Sequence, residues 1–421
     1  MFNLAVLTDN LKKLAEYAVS FVKWITFAAI IGIVGGTLGS VFHICIDEVT
    51  EFRSCNTWAV FLLPVAAVVI RWMYHLFKSD IHLDTNLVIR SLREDRKIPL
   101  IMIPLIFLST VITQFAGGSA GREGAALQLG GSIGYNFGRL FKLGNNNMHI
   151  IIMSGMASVF SALFGTPITA AVFSLEVASV GMLDYTALLP CIVSSVVSLG
   201  VSKCFGIIPV KFEGIGFGAF SVATAVRVAI LSIFVAVLSM IFCITIEKCS
   251  HLARKLSPSG YFRAVACSIL VSVLTLAVGT YDYNGAGMFV VERAMQGQAE
   301  PFAFALKLIF TALSLSAGFK GGEIVPAFFV GSTFGCVAAP LIGLDPAFGA
   351  AIGFVAFFCG VVNCPLASLV LSVEVFGAEG FLFFALSCGI SYMLSGYFGL
   401  YRSQRIVYSK TGNEYINRNV K

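Results

Sequence analysis

Apolar residues run through this chain in long blocks, and most charged residues cluster in short stretches between them. Two blocks, 24–45 and 58–77, are each long enough to cross about 30 Å of hydrocarbon at 1.5 Å per helical residue. Further apolar runs lie near 99–116, 149–163, 165–182, 187–201, 223–246, 262–280, 303–318, 325–342, 347–362, 365–377 and 381–400. Several are too short to span, so the pattern predicts an all-α polytopic membrane protein with some helices ending inside the bilayer. Ahead of them, residues 1–22 set Lys12 and Lys13 among leucines at helical spacing, which predicts an amphipathic helix on the inner surface. A loop is expected at 47–56, with three acids and one Arg. Glycine clusters at 117–134 and 317–335 break the short runs. Irregular backbone at membrane depth is tolerated where it is buried or lines a watery cavity, and that is the pattern of a transporter.

Composition narrows the picture. Of 421 residues, 57% are apolar and 12% charged, against roughly a quarter charged in a soluble domain, so secreted, cytosolic and disordered classes are excluded. The net charge of +6 is scattered between membrane segments, which argues against nucleic acid as a partner. Lys78, Arg90, Arg93, Arg96 and Lys97 after the second span, and five basic residues against Glu414 in the tail 402–421, put both regions in the cytoplasm by the positive-inside rule. The eleven cysteines form no CxxC pair, and the five histidines lack close carboxylate or cysteine neighbours in a metal-ligand pattern, so no metal or cofactor is expected.

An internal repeat organises the chain. Gly165-Thr166-Pro167 through Glu176-Val177 resembles Asn363-Cys364-Pro365 through Glu374-Val375, with the prolines and the glutamates each 198 positions apart. Gly121-Arg122-Glu123-Gly124-Ala125 sets against Gly322-Glu323-Ile324-Val325-Pro326, 201 positions on. Asn86-Leu87-Val88-Ile89 has a counterpart in Met288-Phe289-Val290-Val291, but 78–97 is basic, whereas 281–300 has three acids and only Arg293. Opposite charge bias predicts inverted repeats with paired broken helices and a substrate near the midplane. The expected organisation is an N-terminal helix at 1–22, a first repeat at 23–205, a connecting loop at 206–222, a second, inverted repeat at 223–401, and a cytoplasmic tail at 402–421.

The sharpest chemical signal is Gly117 through Ala125. Its glycines let the backbone turn and expose amides, and a helix is expected to start near Glu123, giving an anion site at membrane depth. Glu123 can fill that site itself, or protonate and swing away when a free anion displaces it, which couples anion to proton. Glu323 is a second carboxylate beside the path, where it is protonated, paired with Lys320, or a proton carrier. Glu176 and Glu374 read as repeat-related interface carboxylates, and Arg227 and Lys307 as side chains snorkelling to headgroups. Neither Ser/His, paired Asp nor HExxH constellations occur, so an enzyme is not expected.

At GREGA, GGEIVP and the closing Gly399-Leu400-Tyr401 the chain resembles the CLC family of chloride channels and anion/proton exchangers, over about residues 22–405. The resemblance implies a CLC-type fold, a homodimer with one pore per subunit, Glu123 as gating glutamate, and Tyr401 closing the inner end of the anion path. It also implies a prokaryotic inner (plasma) membrane protein with both termini cytoplasmic. The stretch His82-Leu83-Asp84-Thr85-Asn86-Leu87 lacks the serine of chloride-type members, the usual GxFxP is replaced by Gly322 to Pro326, and Val177 stands where the inner glutamate of typical exchangers lies. These changes resemble the fluoride-exporting CLC-F branch, although Leu87, Ala125, Val325 and Ser372 depart from it. The expectation is a secondary transporter exporting fluoride against protons, the alternative a chloride-type exchanger or passive anion channel. Glu123 and Glu323 are the expected proton-transfer groups, and Asn86, Gly121, Arg122, Gly124, Ile324, Val325 and Tyr401 the expected anion site.

Overall fold

A computed structural model describes residues 4–77, 83–257 and 259–421, so Lys78 and His82 of the sequence reading, and residues 1–3 of the N-terminal helix, lie outside the described residues. Its first half holds α1 (Leu4–Cys55), α2 (Leu63–Leu76), α3 (Thr85–Ser91), α4 (Met102–Ala116), α5 (Glu123–Leu140), α6 (Asn145–Phe164), α7 (Pro167–Glu176) and α8 (Leu188–Cys204). The second repeats the order with α9 (Val222–Leu256), α10 (Gly260–Val278), α11 (Met288–Met295), α12 (Ala303–Ala317), α13 (Ile324–Ala338), α14 (Pro346–Val362), α15 (Pro365–Phe376) and α16 (Phe381–Leu394). Seven helical segments are long and apolar enough to cross a membrane, and six apolar helices are shorter, which makes this a multi-pass membrane protein with broken helices.

The structure corrects three boundaries. α1 runs without a break through residue 22 and on to Cys55, so neither a separate surface helix nor the loop at 47–56 exists, because the 47–56 stretch has no helix breaker despite its charges. The irregular backbone is narrower than the glycine clusters. α4 and α12 end on left-handed Gly117 (φ +88°) and Gly318 (φ +98°), and α5 and α13 resume only a few residues later. Later glycines are helical and serve close packing instead: a Cβ at Gly130 would lie 2.2 Å from the Gly155 carbonyl of α6, and one at Gly331 would lie 2.4 Å from the Gly353 carbonyl of α14. Third, the tail at 402–421 carries two strands. β1 (Ser179–Val180) pairs in parallel with β2 (Arg405–Tyr408), which pairs antiparallel with β3 (Tyr415–Asn419).

The halves are stitched by reciprocal caps. Each of α7 and α15 starts with proline at its first turn, and the carboxylate that accepts from its free N–H groups comes from the other half. Glu374 accepts from Ile168 and Thr169 N–H at 2.9 and 2.8 Å, and Glu176 accepts from Leu366 and Ala367 N–H at 3.2 and 2.9 Å.

Candidate functional site

The two glycine turns meet as a single antiparallel bridge. Gly121 N–H donates to the Gly322 carbonyl at 2.6 Å, and Gly322 N–H donates back at 2.8 Å. This pairing sets the first turn of α5 beside the first turn of α13. Glu123, fully buried as the first residue of α5, reaches across so that its Oε2 accepts from Val325 N–H at 3.2 Å. A carboxylate therefore occupies the positive end of the opposing half-helix, where free N–H groups and the helix dipole favour negative charge. Its other oxygen, Oε1, is buried and has no hydrogen-bond partner among the described residues.

Two cavities approach this point. One, of about 710 Å³, is walled by the C-terminal end of α1, the start of α11 and Val325. The other, of about 540 Å³, is walled by the C-terminal end of α9, the start of α3, and residues 399–402. Each cavity uses the repeat equivalent of the other's walls, as inverted halves require. Val325 lines the α1 cavity and Glu323 the α9 cavity, so the Gly121–Gly322 bridge and Glu123 separate them.

Asn86, Leu87, Gln128, Glu323 and Tyr401 line the α9 cavity. Asn86 is less free than the sequence implies: its Oδ1 accepts from Ser403 N–H at 3.0 Å and its amide donates to Asp84 at 3.2 Å, leaving one N–H for a ligand. The first bond holds the segment after Tyr401 against α3, and the second ties Asn86 to the N-cap of its own helix. Tyr401 itself is only 2% exposed. Glu323 forms no ion pair among the described residues, and Lys320 sets its ammonium 4.7 Å from the Tyr74 ring centre, so the Lys320–Glu323 pairing option is set aside. Sequence reasoning missed Gln128, whose amide donates to Thr85 at 3.2 Å while its buried Oε1 has no partner among the described residues; a lone polar residue five positions past Glu123 was its only signal. Ser372 is fully buried and donates to the Leu369 carbonyl of its own helix.

The remaining expected residues fall elsewhere. Arg122 turns away from Glu123 into the α1 cavity and pairs with Asp47 at 3.0 Å. Asp47 also meets His43 at 2.9 Å, a carboxylate neighbour that the assumed 47–56 loop concealed because the i,i+4 spacing matters only on a helix. Gly121 forms the bridge, Gly124 is buried so closely that a Cβ would lie 3.0 Å from the Gly321 carbonyl, and Ile324 and Ala125 are fully buried in the first turns. Lys307 does not snorkel. It is fully buried and its ammonium donates to the carbonyls of Tyr283 at 3.2 Å and Gly285 at 2.7 Å.

Comparison with known proteins bears on this geometry. The family profile described as "Voltage gated chloride channel" matches residues 66–396. A "Chloride/fluoride channel protein" of Pseudomonas syringae pv. tomato is 33% identical over 398 residues, covering 92% of this chain and 87% of that one. An H(+)/Cl(-) exchange transporter of Vibrio parahaemolyticus is 22% identical over 391 residues, 83% of this chain and 81% of its own. Among solved structures, a CLC-type fluoride/proton antiporter superposes with a TM-score of 0.88 at 27% identity, covering 91% of this chain and 98% of that chain. A slow cyanobacterial Cl-/H+ antiporter shares the fold, with a TM-score of 0.79 at 18% identity over 88% and 94% of the two chains.

Proposed function

Because the chain belongs to the voltage gated chloride channel family, the CLC proteins, we propose that it is a proton-coupled anion exchanger that exports fluoride, with Glu123 as gate and proton carrier. The observation that carries this reading is the Glu123 carboxylate on Val325 N–H, with Oε1 unpartnered among the described residues, between two cavities. An anion arriving at the start of α13 competes with the carboxylate for the same donors. Displaced, the carboxylate takes a proton, because a free charge is costly at membrane depth, and on returning the proton to the other side it resumes its place. Anion and proton thus move in opposite directions.

Arg90, Arg93, Arg402 and Arg405 surround the α9 cavity and the tail, so the positive-inside rule makes that face cytoplasmic and the α1 cavity external. Glu323 is the inner proton-transfer group, a role that Val177 leaves open. Fluoride preference is supported by the remaining amide N–H of Asn86 and by the names of the P. syringae relative and the antiporter of similar structure. Fluoride holds water tightly and rewards short, strong donors. The protein works in a prokaryotic plasma membrane as a homodimer, as its family resemblance implies.

The test is anion and pH recording on liposomes containing Glu123→Gln. The amide neither carries a proton nor competes as an anion, so exchange is expected to stop while the fold persists. Proton movement against an anion gradient at the parent rate would refute the role of Glu123.

A further inference from the structure

The α1 cavity holds a cation that nothing in the exchange mechanism uses. Arg53, in the last turn of α1, lies over two left-handed glycines, Gly117 (φ +88°) and Gly285 (φ +61°). A Cβ at Gly285 would come within 2.5 Å of both terminal guanidinium nitrogens, and one at Gly117 within 3.3 Å of Arg53 Cδ, so only this backbone leaves room for the side chain. Among the described residues its one hydrogen bond runs from Nη1 to the Gln114 carbonyl, and the rest of its donor fork opens on the cavity it lines.

The neighbouring charges do not cancel it. Of the acids lining the cavity, Asp47 is paired with Arg122 and His43, and Asp282 with Arg293. Glu292 is exposed, and Lys211 adds a further positive charge. Behind the wall, fully buried Lys307 holds the carbonyls of Tyr283 and Gly285, with its ammonium 5.1 Å from the Phe329 ring centre and no carboxylate partner among the described residues. In a planar trans peptide the N–H following a carbonyl points the opposite way, so Ala286 N–H is aimed away from Lys307. Ala286 lines the cavity, and its N–H has no partner among the described residues.

We propose that Arg53, with Ala286 N–H beside it and Lys307 behind, is a docking site for one small halide on the outer side of the start of α13. It rests on the anion-transport reading above and adds to it a stop on the α1 side, the last for an exported anion and the first for one entering from outside. Val325 lines the same cavity, so an anion held at Arg53 has a direct way to the donor that Glu123 occupies. A guanidinium suits the role because it cannot lose its charge to the passing protons.

The experiment measures the concentration dependence of halide flux, with sodium fluoride and sodium chloride added in turn to each face of right-side-out vesicles. Arg53→Gln is expected to raise the half-saturating halide concentration on the α1 side at least tenfold, with the maximal rate within twofold of the parent. Arg53→Lys should restore most of the affinity, Lys307→Met should raise the same constant about threefold, and the tail-side constant should not move. An unchanged α1-side constant in Arg53→Gln overturns the site, as does a loss of maximal rate that Arg53→Lys fails to rescue. If Arg53→Gln does not fold, by its size-exclusion profile, Lys307→Met decides in the same way. A parent that moves neither halide overturns the transport reading and this site together, whereas an active parent matched by Arg53→Gln removes only the site.

Discussion

Placing one methyl group on either side of the Gly121–Gly322 bridge should have opposite consequences. Neither glycine has a left-handed φ, so alanine meets only its neighbours. A Cβ at Gly121 would lie 2.2 Å from Glu123 Oε2 and 3.1 Å from Val325 Cβ. Reaching an ordinary 3.4 Å contact moves the carboxylate oxygen by about 1.2 Å, which takes it off the Val325 N–H it now meets at 3.2 Å. The far end of a flexible side chain gives way and Val325 yields a few tenths of an ångström, so Gly121→Ala should cost about 1.5–3 kcal/mol of stability, the worth of one charge-assisted bond. A Cβ at Gly322 would also press on Glu123 Oε2, at 2.7 Å, but in addition would lie 2.5 Å from Gly124 N and 2.8 Å from Glu123 N, both backbone atoms. The turns must part by about 0.9 Å, stretching bonds of 2.6 and 2.8 Å beyond useful length and stranding buried groups, a loss of about 2–5 kcal/mol. Parallel anion and pH recordings on liposomes, with thermal unfolding in detergent, separate the two. Gly121→Ala should stay folded, pass anions at least as fast as the parent and move fewer protons per anion, whereas Gly322→Ala should melt well below it. A Gly121→Ala protein with the parent's proton-to-anion ratio would refute the claim that the carboxylate at Val325 is the gate.

Glu323→Ala should reduce coupled transport more than Glu176→Ala, because Glu323 faces the α9 cavity whereas Glu176 is spent on capping α15; equal losses at matched protein density would count against a separate role for Glu323. Stability should rank differently. Glu176→Ala strands the fully buried Ala367 N–H and should cost about 3–4 kcal/mol, while Glu374→Ala, whose site borders a cleft of about 270 Å³ that water can enter, should cost about 1–2 kcal/mol. Detergent melting curves in the reverse order would contradict the reciprocal-cap account.

What the sequence disclosed depended on whether a residue acts locally or across the repeat. The helix starts at Glu123 and Ile324 were legible, because glycine followed by an apolar run is a local signal. The repeat offsets named Glu176 and Glu374 as equivalents, but their exchange of caps is a contact across about two hundred residues, with no periodicity to announce it. Lys307 misled for a related reason. A lysine in an apolar helix reads as snorkelling unless one knows that the carbonyls of Tyr283 and Gly285 lie over it. The charges at 47–56 outweighed the absence of a helix breaker, which hid the extension of α1 and with it the His43–Asp47–Arg122 cluster and Arg53.

The central claim is exchange of protons for an anion, with fluoride favoured. It is tested most directly by initial efflux from liposomes loaded with equal fluoride or chloride, with external pH followed at the same time and Asn86→Ala run beside the parent. The geometry of Glu123 and the free N–H of Asn86 predict faster fluoride than chloride efflux, protons moving inward as fluoride leaves, and a smaller fluoride advantage in Asn86→Ala. Chloride efflux equal to or faster than fluoride in the parent, or fluoride efflux with no proton movement, would contradict the account.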